Sequence, residues 1–371
     1  MQFIDLHAQR RRIGESMNQA IQAVVESGQY ILGPQVTELE KKLADFAGTK
    51  HCVSCANGTD ALVIVLRAWG IGPGDAVFVP AFTFAATAEV VTLVGASPVF
   101  VDVFEDTYNM DPASLQAAID LVKKDGALKP RVVIPVDLFG QPADYAAIAP
   151  ICQREGLKMF CDTAQGFGGL YHGKRAGGIG DAAATSFFPA KPLGCYGDGG
   201  ASFTNDDEMD ELLRSIRVHG QGIDKYENVR IGLNSRLDTI QAAVLLKKLE
   251  IFADEIEMRE GVAQRYIKAL SASGKIVTPR VIAEAQSTWA QFTIQVPNRD
   301  KLQADLKASG IPTAVYYPIP LNRQKAYAAY PSAPTPVCDK LSKVVVALPM
   351  HPYLEAADQD KIAAAVLASV G

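Results

Sequence analysis

The sequence predicts an α/β protein: a large domain with a mostly parallel sheet covered by helices, then a smaller C-terminal α+β domain. Three observations carry this. Apolar, strand-length runs alternate with amphipathic, helix-length segments from His51 to Gln165. The strands are apolar throughout, as a sheet buried on both faces requires. The alternation weakens after about Gln241, where one long helical stretch begins.

Taken in order, "IGESMNQAIQAVVES" has helical spacing and should end at Gly28, and "PQVTELEKKLADFAG" is a second amphipathic helix closed by Gly48. "HCVSCAN" reads as a strand and "GTDALVIVLRAWG" as a helix. "DAVFVPAF" and "SPVFVDV" read as strands, with the helical "TAEVVTLVG" between them. The helix "PASLQAAIDLVKK", strand "PRVVIPVDLFG", helix "DYAAIAPICQREG" and strand "LKMFCDTAQ" complete the alternation. The helix "DTIQAAVLLKKLEIFADEIEMREGVAQRYIKALSAS" then joins the two domains. Strand-like "WAQFTIQV" and "VVVALPM", with the helical "RDKLQADLKASG" and a closing helix, make the smaller unit. The expected boundary is near residue 250, giving domains 1–250 and 251–371. A chain of 371 residues has ample length for such cores.

Composition narrows the function. A net charge of −5 and no basic run of five or more give no footprint for nucleic acid or a membrane surface. No apolar stretch reaches the roughly 18 residues of a membrane helix. "MQFIDLHAQRRR" lacks a signal-peptide core, so a cytoplasmic location is expected. Of the six cysteines, Cys52 and Cys55 form a C-x-x-C, but no second Cys or His pair completes a metal site. They read as small apolar strand residues. The five histidines do not cluster, so neither metal catalysis nor a Ser-His-Asp triad has support. No G-x-G-x-x-G occurs, and "GGLYHGKR" has Arg175 where a P-loop needs Ser or Thr, so it reads as a turn.

Four places can carry chemistry. In "CANGTDALVIVL" a strand ends, Asn57-Gly58-Thr59 turns, and a helix begins near Asp60. A helix N-terminus binds phosphate through free amides, although a plain N-cap is the simpler reading of that stretch by itself. In "FCDTAQGFG", Asp162 follows an apolar strand, where it can hold a protonated ring nitrogen, and Gln165 can bond a neighbouring phenolic oxygen. A turn-capping Asp is the plain alternative. In "AFTFAAT", Phe82 or Phe84 can stack on a flat cofactor or simply fill the core. In "SFFPAKPLGCYGDGG", Lys191 sits between two prolines that limit its backbone, with Ser186 five residues before it. Together, a phosphate cradle, a stacking aromatic, a carboxylate for a ring nitrogen and a set-apart lysine are what pyridoxal phosphate needs.

The motifs "FIDL", "GQYILGPQVTELE", "CANGTDAL", "PAFTFAATAE", "CDTAQGFG", "SFFPAKPLGCYGDGGA" and "GLNSRLDTIQAA" fall in one order along the chain. In that order they resemble the DegT/DnrJ/EryC1/StrS sugar aminotransferases, of the aspartate aminotransferase fold (fold type I). The resemblance covers essentially the whole chain. It implies that Lys191 bonds the cofactor and moves the proton, Asp162 pairs with the ring nitrogen, Gln165 contacts the phenolic oxygen and Phe84 stacks on the ring. Gly58, Thr59, the Asp60 backbone and Ser186 would hold the phosphate. Asn234 would reach the cofactor of a neighbouring subunit, which implies a homodimer with shared sites. Arg236 and Tyr316-Tyr317 would face the sugar nucleotide across the dimer; relatives often carry His-Tyr at the latter pair.

The resemblance further implies pyridoxal phosphate cycling through pyridoxamine phosphate, with glutamate as amino donor. With "YYPIPLNRQ" and "LPMHPYL", it runs closest to enzymes that aminate the 3-keto group of UDP-N-acetyl-3-keto-glucosaminuronic acid for bacterial O-antigen, lipopolysaccharide and related polysaccharides. Another 3-keto or 4-keto nucleotide sugar is the alternative substrate. Dehydratase relatives carry His in place of the lysine, so Lys191 argues against that chemistry. A non-catalytic, cofactor-binding regulator would not need the intact Lys191, Asp162 and Gln165.

Overall fold

The computed structural model describes residues 1–224 and 226–371. Helices α1 (Leu6–Ile13), α2 (Glu15–Ser27) and α3 (Pro34–Ala47) precede β1 (His51–Cys55). Then come α4 (Gly58–Ala68), β2 (Asp75–Pro80), α5 (Ala86–Leu93), β3 (Ser97–Val101), α6 (Pro112–Asp125), β4 (Lys129–Val133), α7 (Tyr145–Glu155) and β5 (Lys158–Asp162). A hairpin of β6 (Leu170–Tyr171) and β7 (Lys174–Arg175) leads to β8 (Ala182–Ser186), β9 (Gly200–Thr204) and α8 (Asp207–Arg217). The long α9 (Thr239–Leu270) is followed by β10 (Ala285–Gln286), β11 (Phe292–Gln295), α10 (Arg299–Ala308), α11 (Pro336–Val344), β12 (Val345–Leu348) and α12 (Ala356–Val370). Among the described residues, no helix is long and apolar enough to cross a membrane.

Gly28 and Gly48 close α2 and α3 in the left-handed conformation, at φ 67° and 73°, where a side chain would be disfavoured. "GGLYHGKR" is the hairpin turn between β6 and β7, with His172 and Gly173 both at positive φ. The run "PRVVIPVDLFG" departs from its expected form. The strand stops at Val133, and Leu138–Gly140 make one turn of 3-10 helix. The cause is local: Asp137 turns its carboxylate back on the Ala143 amide at 2.9 Å, which folds the chain into a closed loop.

The main sheet has seven strands in the order β1-β9-β8-β5-β4-β2-β3. Pairs β2/β3, β2/β4, β4/β5 and β5/β8 are parallel, and β9 runs antiparallel to both β8 and β1. Two reversals restore direction, so β1 points the same way as β8. The carboxyl ends of β1, β8, β5, β4 and β2 therefore lie along one edge, where open α/β sheets bind ligands. The helices bury both faces. Along β2, Ala76 and Phe78 join one core with α2, α3, α6 and α7, while Val77 and Val79 join another with α4, α5 and α8.

The first half of α9 packs Leu245 and Phe252 into the first of these cores. Its second half packs Tyr266 and Leu270 against Phe292, Ile294, Leu348 and Ile362 in a third core. The boundary expected near residue 250 lies inside this helix.

Burial raises the Asp137 carboxyl to about 7, against 3.8 for a free side chain. The native state then holds a proton that the unfolded chain has released, so stability falls as pH rises through that window. Asp137→Asn keeps an acceptor for Ala143 without the charge. Thermal melts of the two proteins should diverge between about pH 4 and pH 7, with the variant gaining, and run parallel above it. A constant difference across that range would show that Asp137 does not titrate there.

Candidate active site

Most of the predicted residues meet at the carboxyl edge. Asp162 ends β5, and only 5% of its surface is exposed. Its Oδ2 accepts the Thr87 hydroxyl at 2.9 Å and its Oδ1 the Ala164 amide at 3.1 Å. Desolvation pushes its pKa up, against the pull of these bonds and of the Lys191 charge. Lys191 sits half-buried in the loop between β8 and β9, its amide bonded to the Phe188 carbonyl at 2.8 Å. Desolvation lowers the Lys191 pKa, and the attraction of Asp162 opposes the shift. An amine so placed is free base more often than a surface lysine.

That loop is pinned at both ends. Phe187 donates its amide to Gly199 at 2.7 Å and accepts the Cys195 amide at 2.8 Å, and Gln241 on α9 accepts the Tyr196 amide at 2.8 Å. Gln165 is buried one turn beyond Asp162. Its Oε1 accepts the Phe139 amide at 2.8 Å, and its Nε2 donates to the Tyr317 hydroxyl at 3.3 Å. Tyr317 packs 6.0 Å from Phe82 and 6.5 Å from Phe84, centroid to centroid. Phe82 is fully buried, whereas Phe84 is 56% exposed, so of the two only Phe84 offers an open ring face.

At the neighbouring strand ends, Gly58 begins α4 against Ser186. A Cβ on Gly58 would stand 2.5 Å from the Ser186 Cβ, so glycine is what lets the helix start meet the end of β8. The N-cap is the Asn57 side chain, which accepts the Asp60 amide at 2.8 Å. The Asp60 backbone is thus committed within the protein, and the amides left at this N-terminus are those of Gly58 and Thr59.

Asn234 and Arg236, with Asp198, Asp238 and Gln241, line a cleft of about 420 Å³ beside Ala56, the residue before the Asn57-Gly58 turn. Tyr316 and Tyr317, grouped with Arg236 by the sequence, instead pack beside Phe82, Phe84 and Gln165.

Two contributors escaped the sequence reading, Thr87 and the Phe139 amide, whereas the plain N-cap read at Asn57-Gly58-Thr59 is the Asn57 side chain. Thr87 lies one helical turn past Phe84, inside the quoted "AFTFAAT", but nothing local tells that α5 starts over β5. Thr87→Val removes the hydroxyl from a charged acceptor, at a cost of about 1.5–3 kcal/mol. The Asp162 pKa should rise further, so the acid limb of the pH–rate profile should move to higher pH and turnover drop about tenfold or more. An unchanged acid limb would remove Thr87 from the site.

The residues fit a flat, anionic, ring-nitrogen cofactor. Asp162 is a buried carboxylate that makes no salt bridge among the described residues, and a protonated ring nitrogen would supply one. The amides of Gly58 and Thr59, beside the Ser186 hydroxyl, offer donors to a phosphate. Lys191 supplies to the same edge an amine whose pKa burial lowers.

This architecture is that of the fold type I pyridoxal-phosphate-dependent transferases. The chain belongs to the DegT/DnrJ/EryC1/StrS aminotransferase family, which it matches over residues 11–367. It is 52% identical over 366 residues to the UDP-2-acetamido-2-deoxy-3-oxo-D-glucuronate aminotransferase of Pseudomonas aeruginosa, covering 99% of each chain. The crystal structure of a DegT DnrJ EryC1 StrS aminotransferase from Brucella abortus superposes with a TM-score of 0.98, at 55% identity and full coverage of both chains. NtdA from Bacillus subtilis, solved with bound cofactor PMP, superposes with a TM-score of 0.89 at 28% identity, covering 99% of this chain and 83% of that one.

Proposed function

We propose that this protein transfers the amino group of glutamate to the 3-keto carbon of a UDP-linked 2-acetamido-3-oxo-glucuronate, with pyridoxal phosphate as cofactor. The observation that carries the reading is the desolvated Lys191 amine set beside the buried Asp162 carboxylate at one sheet edge. The relative at 52% identity over 99% of both chains supports the substrate. When bound, the cofactor supplies an electron sink for the carbon that loses its proton.

The chain's own residues do the rest. Lys191 would hold the cofactor covalently through its amine and, as a free amine, would carry the proton lost from the donor's α carbon. Asp162, held by Thr87 and Ala164, keeps the ring nitrogen protonated. Gln165 donates to the phenolic oxygen, and Phe84 covers the ring. Gly58, Thr59 and Ser186 hold the phosphate. Glutamate leaves as 2-oxoglutarate before the keto sugar enters, so initial-rate plots should be parallel.

The active form is a homodimer. Exposed apolar side chains at Tyr30, Ile31, Leu32, Ile223, Val229 and Ile231 support this, because a monomer would leave them in water. Asn234 and Arg236 reach the neighbouring subunit's cofactor phosphate and sugar nucleotide, and Tyr316 and Tyr317 face the substrate. The product serves bacterial surface polysaccharide synthesis, O-antigen and lipopolysaccharide included, in the cytoplasm. The chain divides near residue 250 into a cofactor-binding and a small domain.

The test is an absorbance spectrum with pyridoxal phosphate, then with glutamate, then with the UDP-3-oxo sugar. The lysine-bound band should bleach with glutamate and return with the sugar. Bleaching without return would discard this sugar and keep the aminotransferase. No band at all would overturn the assignment of Lys191.

A further inference from the structure

The loop from Asp137 to Asp144, between β4 and α7, is held by buried side chains that stand outside the set assigned above. Asn109, 3% exposed, lies between β3 and α6. Its Oδ1 accepts the Leu138 amide at 3.0 Å, and its Nδ2 donates to the carbonyls of Gln141 at 3.0 Å and Pro142 at 3.1 Å. Most of the bonding capacity of one buried carboxamide thus goes to a single loop. The adjacent Tyr108 packs its ring edge-on to Phe139, with centroids 5.1 Å apart. From within the loop, the Asp137 carboxylate accepts the Ala143 amide and the Tyr145 hydroxyl.

What the loop presents is the Phe139 amide. Phe139 has φ 60°, a left-handed conformation that a residue with a Cβ keeps only where its surroundings impose it. The amide donates to Gln165 Oε1 at 2.8 Å. A carboxamide has an acceptor end and a donor end, and rotation about its last torsion exchanges them. A fixed N–H at one end selects one orientation: Oε1 toward Phe139, Nε2 toward the Tyr317 hydroxyl and the site.

We propose that Asn109 is a positioning residue for the reaction: by clamping Leu138 and Gln141–Pro142 it holds the Phe139 amide on Gln165, and so fixes which end of that carboxamide faces the reacting group. This rests on the reading of Gln165 as a donor to the cofactor's phenolic oxygen. Without the clamp, the turn relaxes from its left-handed conformation and the Phe139 amide leaves Gln165. The carboxamide then loses its fixed direction.

The test uses the holoenzyme with pyridoxal phosphate. The lysine-bound cofactor changes colour with protonation, so absorbance against pH gives a midpoint. A donor at the phenolic oxygen favours the deprotonated form, which carries more negative charge there. Losing the donor should therefore raise the midpoint. Asn109→Ala should raise it by about half to one pH unit, and Gln165→Leu should raise it too. In the Gln165→Leu background, Asn109→Ala should add nothing.

An unshifted midpoint, or the same shift with and without Gln165, overturns the proposal and leaves Asn109 a purely structural residue. Asn109→Asp keeps the acceptor for Leu138 and replaces the donor to Gln141 and Pro142 with a carboxylate. It should shift the midpoint in the same direction, and the same two outcomes decide the matter if Asn109→Ala does not fold. A wild-type protein with no lysine-bound band would overturn the functional reading itself, and this inference with it. A normal wild-type band with unshifted variants overturns this inference alone.

Discussion

Lys191→Ala should bind pyridoxal phosphate, show no lysine-bound absorbance band, and lose at least about 10⁴-fold in kcat/KM. Two functions disappear with one amine: the covalent hold on the cofactor and the proton carrier between two carbons. Binding should persist because Asp162, the amides of Gly58 and Thr59, Ser186 and Phe84 do not depend on the lysine. Lys191→Arg should fare no better in turnover. A guanidinium keeps its proton at any working pH and forms no imine. The fold should tolerate the loss. Burial already lowers the Lys191 pKa, so its ammonium form is disfavoured in the native state, and below the unfolded lysine's pKa the alanine variant loses nothing by removing it. Its apoprotein should melt at or above the wild-type temperature at pH 7. Turnover within tenfold of wild type would end the case for Lys191.

Asp162→Asn should have the second largest effect, and it should split by cofactor occupancy. Asparagine keeps an oxygen for the Ala164 amide, turns an NH2 toward the Thr87 hydroxyl, which can accept it, and carries no charge. In the holoenzyme the ring nitrogen loses its anionic partner, and kcat should fall about 10²- to 10³-fold or more. In the apoprotein the sign reverses. Burial raises the Asp162 pKa, so the native carboxyl contributes stability only while protonated, and that contribution is lost as pH rises through the folded value. The asparagine variant should therefore melt higher than wild-type apoprotein near neutrality and converge with it in acid. Adding pyridoxal phosphate should invert the ranking, because only the wild type gains a buried ion pair. If the apoprotein order is not reversed on adding cofactor, Asp162 does not face the ring nitrogen.

Much of the fold was legible because its signals are local. Amphipathic spacing marks α2, α3 and α6, and Gly28 and Gly48 stop the first two by backbone conformation. Apolar runs mark β2, β3 and β5. The strand through "VDLFG" was misread because its apolar pattern continues past the point where Asp137 bonds back on Ala143. Periodicity carries no trace of that carboxylate's choice of partner. Of the site, Asp162, Lys191 and Gly58 stand out by type and placement after strands. Their chemistry needs a carboxylate, an amine and a missing Cβ, and each is visible as a letter.

The sequence by itself determined which elements form and which reactive groups sit at their ends, since capping, period and side-chain chemistry act over a few residues. Only the tertiary structure decided that β1, β8, β5, β4 and β2 end side by side, with β9 reversed between β1 and β8. Strand order follows from how helices of both layers cover the whole sheet, a balance of burial spread over the chain. That order brings Thr87 to Asp162, Phe139 to Gln165 and Asn109 to the loop between them. Long-range packing, and no short pattern, sets which strand ends become neighbours.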